Sequence, residues 1–296
     1  MSLFGTLKLI VNHPLNKERK IRSVIKWVKW QVGSRLVPGE VVYNWINGAR
    51  VIVRPGETGF TGNIYCTLDE FSDMAYVLHV MTPEDFFVDI GANVGSYTIL
   101  ACAAKGARGY CFEPIPSTFQ RLAANIRLND LSCRVEAFNL GLSNKEGELV
   151  FTSSENCTNH VVTDGEKAMS VIKVKVVSLD TILSGLSPSM LKLDVEGFET
   201  LVLQGAHETL SNHSLHSVVM ELNGSGSRYG FSEAQILNKM KDYGFSTYVY
   251  NPFIRELMTL DGKQNHSGNT LFIRNERDVS DKLHKSPRIQ IGNLQL

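Results

Sequence analysis

No run of the sequence approaches eighteen consecutive apolar residues, so no membrane-spanning helix is expected. The N-terminus also lacks the apolar stretch and small-residue cleavage site of a secretory signal, and the expectation is a soluble protein. An excess of charge is missing too. Thirty Lys and Arg balance thirty Asp and Glu, which leaves no long-range field to gather nucleic acid or an acidic partner. The five cysteines, Cys66, Cys102, Cys111, Cys133 and Cys157, are odd in number and show no C-x-x-C spacing. That speaks against a disulfide framework or a zinc knuckle and for a reduced, cytoplasmic compartment. Internal repeats and low-complexity tracts are absent as well. With 296 residues the chain can nevertheless bury a sizeable core without staples.

What is present begins with an extension over residues 1–66. From Lys17 to Arg35, Ile21, Val24, Ile25, Val28 and Val32 recur at helical spacing, and Lys17, Arg19, Lys20, Arg22, Lys26 and Lys29 lie mostly off that stripe. This predicts a basic amphipathic helix. With Trp27 and Trp30 it has two destinations, packing on its own domain or contact with a membrane surface or partner. In "VVYNWINGARVIVRP", Asn47-Gly48 sits between two strand-like runs, the signature of a hairpin whose two turn residues take positive φ. A helix over Leu68 to Met81 follows, stopped before Pro83. From Phe86 onward, strand-like and helix-like segments alternate through "FFVDI", "GYCFEP", "RVEAFNL", "VKVVSL", "MLKLDVEG" and "HSVVMEL". "STYVYN" and "NTLFIRN" then read as two final strands with the turn "DGK" between them. Strands separated by helices of this length imply right-handed crossovers and a mainly parallel sheet with helices on both faces. The main domain is placed at residues 67–280, and the polar, unpatterned residues 281–296 read as a loose tail.

The stretch "FFVDIGANVGSYTIL" raises the functional question. In such a sheet the ligand lies beyond the carboxyl ends of the strands, and the first strand-to-helix turn allows the closest approach. A dinucleotide site wants three glycines, G-x-G-x-x-G, to feed a pyrophosphate to a helix N-terminus. Here only Gly91 and Gly95 are available, with Ala92 and Asn93 between them and Ser96 opening the helix. The pattern D-x-G-x-x-x-G is similar instead to the turn that holds the amino-acid part of S-adenosylmethionine in Rossmann-like methyltransferases. Glu113, at the end of the next strand, is placed to accept both ribose hydroxyls, and Pro114 follows it. Asp89 is placed to orient turn amides or meet an ammonium group. Adenine is expected around Asn139 to Leu142, at the end of the third strand, with Leu140 against the ring.

Taken in order, "FVDIGANVGSYT", "FEPIPSTFQRLAANIRLN", "VVSLDTIL", "LKLDVEGFETLVLQGA" and "VVMELN" resemble the FkbM-type family of S-adenosylmethionine-dependent methyltransferases. The match runs from about Glu70 to Asn223. The resemblance implies a Rossmann-like class I methyltransferase fold: a mainly parallel seven-stranded sheet with one antiparallel strand, preceded here by the helix and hairpin. It also implies S-adenosyl-L-methionine as methyl donor and an oxygen acceptor, commonly a hydroxyl of a sugar, glycan or polyketide-like natural product.

Transfer to an alcohol needs in-line alignment and a group to take the proton. Asp194 and Glu196 in "KLDVEG" are the first candidates for base or orienting group, since residues two apart on a strand share a face. The plainer reading has Asp194 bracing the cofactor turn and Glu196 capping the next helix, with Lys192 pairing one of these acids. Glu221 and Asn223 are candidates for binding acceptor hydroxyls. With Asp194 they would alternatively make an oxygen-rich Mg²⁺ site, although no metal is expected. The polar insertion Ser153 to Glu166 is expected to arch over the pocket, and its His160 is a third candidate base. Competing readings are an N-methyltransferase acting on a small molecule, a nicotinamide-dependent oxidoreductase, which the missing third glycine disfavours, and a non-catalytic docking module. The expected partner is a small-molecule or glycan acceptor and no nucleic acid, with membrane or partner contact through residues 17–35 left open.

Overall fold

The computed structural model describes residues 3–36, 39–55, 58–163, 165–291 and 294–296. Two helices open it, α1 (Leu3–Asn12) and, after a 3-10 turn over Pro14–Arg19, α2 (Lys20–Leu36). The predicted hairpin follows as β1 (Val41–Asn44) and β2 (Arg50–Val53). Asn47 and Gly48 both take positive φ there, and the Ala49 amide donates to the Ile46 carbonyl across the turn. Next come α3 (Thr61–Cys66) and α4 (Phe71–Val80).

The crossover region then runs β3 (Phe86–Ile90), α5 (Ser96–Ile99) with a π-helical turn to Ala104, β4 (Arg108–Phe112), α6 (Pro116–Leu128) and β5 (Val135–Phe138). A separate three-stranded sheet is made by β6 (Gly141–Leu142), β7 (Gly147–Thr152) and β8 (Val171–Val177). The chain returns through α7 (Leu179–Ile182) to β9 (Met190–Leu193), α8 (Glu199–Gln204), α9 (His207–Ser211), β10 (Ser217–Met220) and α10 (Glu233–Asp242). It closes with β11 (Ser246–Asn251), β12 (Glu256–Thr259), β13 (Thr270–Ile273), α11 (Glu276–Lys285), β14 (Gln290–Ile291) and β15 (Leu294–Gln295).

The main sheet has the order β12-β11-β13-β10-β9-β3-β4-β5, parallel from β10 to β5. Its central strands are buried because both faces are covered, and they are apolar apart from Asp89 of β3, Lys192 of β9 and Ser217 of β10. Phe87, Met190, Val219 and Leu271 face one core with α4, α11 and the hairpin, and Val88, Leu191, Val218 and Phe272 face the other with α8 and α10. The eighth strand, β12, departs from the expected seven, and both β12 and β13 run against their neighbours. The chain reverses at Arg255, whose φ is 58°, rather than passing straight from β11 to the "DGK" turn. As an edge strand with mostly exposed side chains, β12 carries no alternating pattern to announce it.

Two further expectations are corrected. Residues 281–296 are not a loose tail: α11 buries Val279 and Leu283, and Ile289, Ile291 and Leu296 are buried around the small β14–β15 hairpin. The Arg255 guanidinium ties this segment down by donating to the Leu296 carbonyl at 2.9 Å. In α2 the helix is present but rotated from the simplest expectation. Ser23 and Ser34 are buried and Trp27 and Trp30 pack on the core, while Ile21, Ile25, Val28 and Val32 face outward. Among the described residues no helix is long and apolar enough to cross a membrane.

Candidate functional site

At the carboxyl ends of β3, β4 and β9, where the strand order reverses, lies a cavity of about 300 Å³. This is the position the doubly wound topology leaves open for a ligand. Its floor is the turn after β3. Gly91 has φ 79°, and a Cβ there would fall 1.8 Å from the Asp194 carbonyl oxygen, so β3 and β9 touch backbone to backbone at this point. Gly95, with φ 95°, stands at the N-terminus of α5 beneath the turn and faces Leu122 rather than the cavity. Asn93 also takes positive φ, which turns its amide to donate to Glu113 Oε2 at 3.0 Å. The Ile115 amide donates to Glu113 Oε1 at 2.9 Å. Both carboxylate oxygens are thus pinned, and each keeps a further lone pair for an incoming hydroxyl. Burial pushes Glu113 up to about 7. Asp89 accepts from Thr98 Oγ1 at 2.6 Å, and burial pushes it to about 6.

Of the ten residues expected to hold the donor, Asp89, Gly91, Ala92, Asn93, Ser96, Glu113, Pro114 and Leu140 line the cavity. Gly95 does not, and neither does Asn139. The Asn139 amide instead donates to the carbonyls of Glu113 and Pro114, at 2.8 and 2.9 Å, and so holds the strand end in place. Ile115, Leu142 and Phe151 join Leu140 in an apolar wall.

The opposite end is a buried network of charged and polar side chains. Lys192, 2% exposed, donates to Asp194 Oδ2 at 3.1 Å and to Asn269 Oδ1 at 3.3 Å. Asn269 in turn donates to Glu70 Oε2 at 2.9 Å and Asp73 Oδ2 at 3.0 Å, and the Tyr97 hydroxyl donates to Glu70. Burial pulls the Lys192 ammonium down, but Asp194 and Glu70 outweigh it and leave the group raised. Oxygens of Asp194, Glu196 and Glu221 lie within 4.8 Å of one another. Glu196 joins them by a route other than strand alternation. Strand β9 ends at Leu193, and Glu196 sits in a left-handed turn with φ 53°. Burial, then Asp194 and Glu199, push Glu196 to about 7, while burial and Asp194 push Glu221 to about 8.

Three further site expectations meet a different geometry. Glu196 does not cap α8, whose N-terminus has no side-chain cap; Glu199 Oε1 instead braces the preceding turn, accepting from the amides of Val195 (3.3 Å) and Gly197 (3.2 Å). Asn223 lies outside the main cavity, exposed, and accepts from the Ser225 amide at 3.0 Å. His160 does not line the cavity either; it is 5% exposed, with Nδ1 3.0 Å from the Thr158 carbonyl and Nε2 2.7 Å from Glu166 Oε1. Both ring nitrogens are engaged, so it braces the insertion and is not placed to take a substrate proton. That insertion reaches the cavity through Cys157 and Asn159, and Thr58 Oγ1 lies 3.2 Å from Cys157 Sγ across the opening. Position 164 of the insertion lies outside the described residues.

Asn269, Tyr97 and Asp73 were not foreseen. Asp73 is three residues after Glu70 at the start of an otherwise apolar helix, a pairing that could have flagged it. Asn269 carries no such signal. Among the described residues, seven carboxylates line the cavity against a single lysine. Such a lining attracts a cationic ligand and repels a pyrophosphate.

A family model described as "Methyltransferase FkbM domain" matches residues 89–247, just over half of the chain. The chain is 32% identical to the hexuronic acid methyltransferase AglP of Haloferax volcanii over 146 residues, which span 47% of this chain and 56% of that protein. It is 28% identical to the methyltransferase sdnD of Sordaria araneosa, over 59% of this chain and 79% of that one. With methyltransferase 1 of Beauveria bassiana the identity is 27%, over 62% of this chain and 80% of the relative.

Proposed function

This chain belongs to the FkbM methyltransferase family, and from that premise we propose that it moves a methyl group from S-adenosylmethionine to a hydroxyl oxygen of a sugar or similarly hydroxyl-rich acceptor. The observation that carries the donor assignment is the carboxylate-lined cavity with Glu113 pinned at its floor. S-adenosylmethionine bears an ammonium and a sulfonium, so its charge matches the lining. The residues present fit it in three places. Asp89 and the turn from Gly91 to Ser96 would hold the amino-acid end. The remaining lone pairs of Glu113 would take the ribose hydroxyls, and Leu140, Ile115 and Phe151 would flank the adenine. The sugar acceptor is supported by the relative named for hexuronic acid, over the part of the chain that it matches.

When bound, the donor supplies a methyl carbon on a positively charged sulfur. The chain's own residues do the rest. Asp194, held by Lys192, would accept a hydrogen bond from the acceptor hydroxyl and fix its direction of attack. The proton would then pass to Glu196 or Glu221, whose carboxyls burial, helped by Asp194, pushes up to about 7 and about 8. Thr58 and Cys157 narrow the opening to water.

Thermal melting with S-adenosylhomocysteine or NAD at 100 times the dissociation constant separates the donor classes, since a binder adds about 2.7 kcal/mol. Transfer of isotopically labelled methyl to a panel of sugars and hexuronic acids then tests the acceptor. Stabilisation by NAD alone would overturn the reading, and label appearing only on nitrogen would overturn the oxygen assignment.

A further inference from the structure

The outward face of α2 is the wrong way round for a helix that packs only on its own protein. Buried Ser23 and Ser34 face inward, whereas Ile21, Ile25, Val28, Val32 and Leu36 are 80, 47, 43, 52 and 75% exposed. Their spacing of three or four residues draws one apolar line along about 24 Å of helix. Charge is segregated along the same segment. Seven of the chain's thirty basic residues and one of its thirty acidic residues fall within 17–36, so this segment carries +6 and the remainder −6. Arg22 and Lys29 flank the apolar line on one side and Arg35 on the other, all of them exposed.

We propose that the α2 face is a docking surface for an anionic lipid bilayer, on which the aliphatic line enters the headgroup boundary and the flanking cations meet lipid phosphates. Interfacial helices are recognised by this combination of one apolar line with cationic borders. A second copy of the chain is a poorer occupant, because an isologous contact would press this basic face against itself. The helix is also joined to the cavity wall. Gln31 donates to the Tyr65 hydroxyl of α3 at 3.0 Å, and Asn63 of the same helix lines the cavity. Docking through α2 would therefore hold the cavity near a lipid surface, whichever acceptor it takes.

Flotation of the full chain with vesicles tests this. The comparison is pure phosphatidylcholine against phosphatidylcholine containing about one third phosphatidylglycerol, a composition that gives an anionic surface potential. The expected result is binding to the anionic vesicles, at least about tenfold weaker for Ile25→Asp/Val28→Asp and for Arg22→Glu/Lys29→Glu. Each pair lies on the exposed face, so binding of S-adenosylhomocysteine and the melting temperature serve as controls for folding. If one pair fails to fold, the other still decides. Equal binding to both vesicle types, no binding to either, or variants that bind as the native chain does would each overturn the proposal. So would a dimer in analytical ultracentrifugation that Ile25→Asp/Val28→Asp dissolves, because the second copy would then be the occupant.

Discussion

The two ends of the cavity are built from different materials. At the end proposed for the donor the main chain does the shaping: a left-handed glycine seated on the Asp194 carbonyl, an Asn93 amide turned inward, and Glu113 clamped by two amides. The opposite end, where the acceptor is proposed to bind, is built from side chains brought together from β9, β10, α4, α5 and the loop before β13. Backbone geometry tolerates few substitutions, although Asp89 and Glu113 give this end a pH response of its own. A cluster of carboxylates around one lysine can be retuned one residue at a time, and it responds to pH. Specificity is therefore expected to vary at the second end while the first stays constant.

Substitutions at the two ends should separate binding from turnover. Asp194→Asn should lower turnover by about 10² to 10⁴ while leaving S-adenosylhomocysteine affinity within about tenfold. Calorimetry beside steady-state kinetics measures both, and a parallel loss in each would dissolve the distinction. Gly91→Ala should cost about 2 to 5 kcal/mol of stability in denaturant unfolding, because its Cβ would meet the Asp194 carbonyl and its φ is unfavourable for alanine. A variant as stable as the native chain would mean that β3 and β9 can part freely. Glu113→Ala should weaken donor binding by about 1.5 to 3 kcal/mol, with turnover at saturating donor little changed.

Solution pH offers a gentler probe. In the empty protein, burial raises Asp89 to about 6, Glu113 to about 7 and Glu221, with help from Asp194, to about 8. A cationic donor favours their ionised forms, so donor affinity should climb from pH 6 to pH 8, by up to about tenfold per unit for each group that titrates. The sign for folding is opposite. Because these acids bind protons more tightly folded than unfolded, the stability they contribute is fully present below about pH 4. It falls as pH rises through 6 to 8, and melting temperatures of the empty protein should follow. The smallest effect is expected for His160→Ala, which should alter turnover by less than about threefold, well below the loss of a general base. A loss of a hundredfold would restore it as a base.

The same contrast explains what could be read from the sequence. The donor end was legible because its parts are contiguous: "DIGANVG" is a turn and "FEP" a strand end, and steric rules link each to its shape. Even there, Asn139 was assigned to the ligand although it braces the backbone, since its neighbours on the third strand give no hint of where its amide points. Asn269 and Glu70 are 199 residues apart and form a hydrogen bond that no local pattern encodes. Asn223 was misplaced because β10 ends at Met220, after which the chain turns the side chain towards the Ser225 amide. The inverted face of α2 was also beyond reach. Its periodicity gives a stripe but not the direction in which the stripe looks. The closing segment escaped notice because Ile289, Ile291 and Leu296 follow neither helical nor strand spacing over enough residues to register.

The seat of Gly91 on the Asp194 carbonyl acts as a gauge. Reinforced by the Asp194 amide donating to the Ile90 carbonyl at 3.0 Å, it fixes the separation of the β3 and β9 strand ends in main chain alone. Exchanges at the rim residues Thr58, Cys157 and Asn159 are then expected to change what the cavity admits while this seat keeps its dimensions.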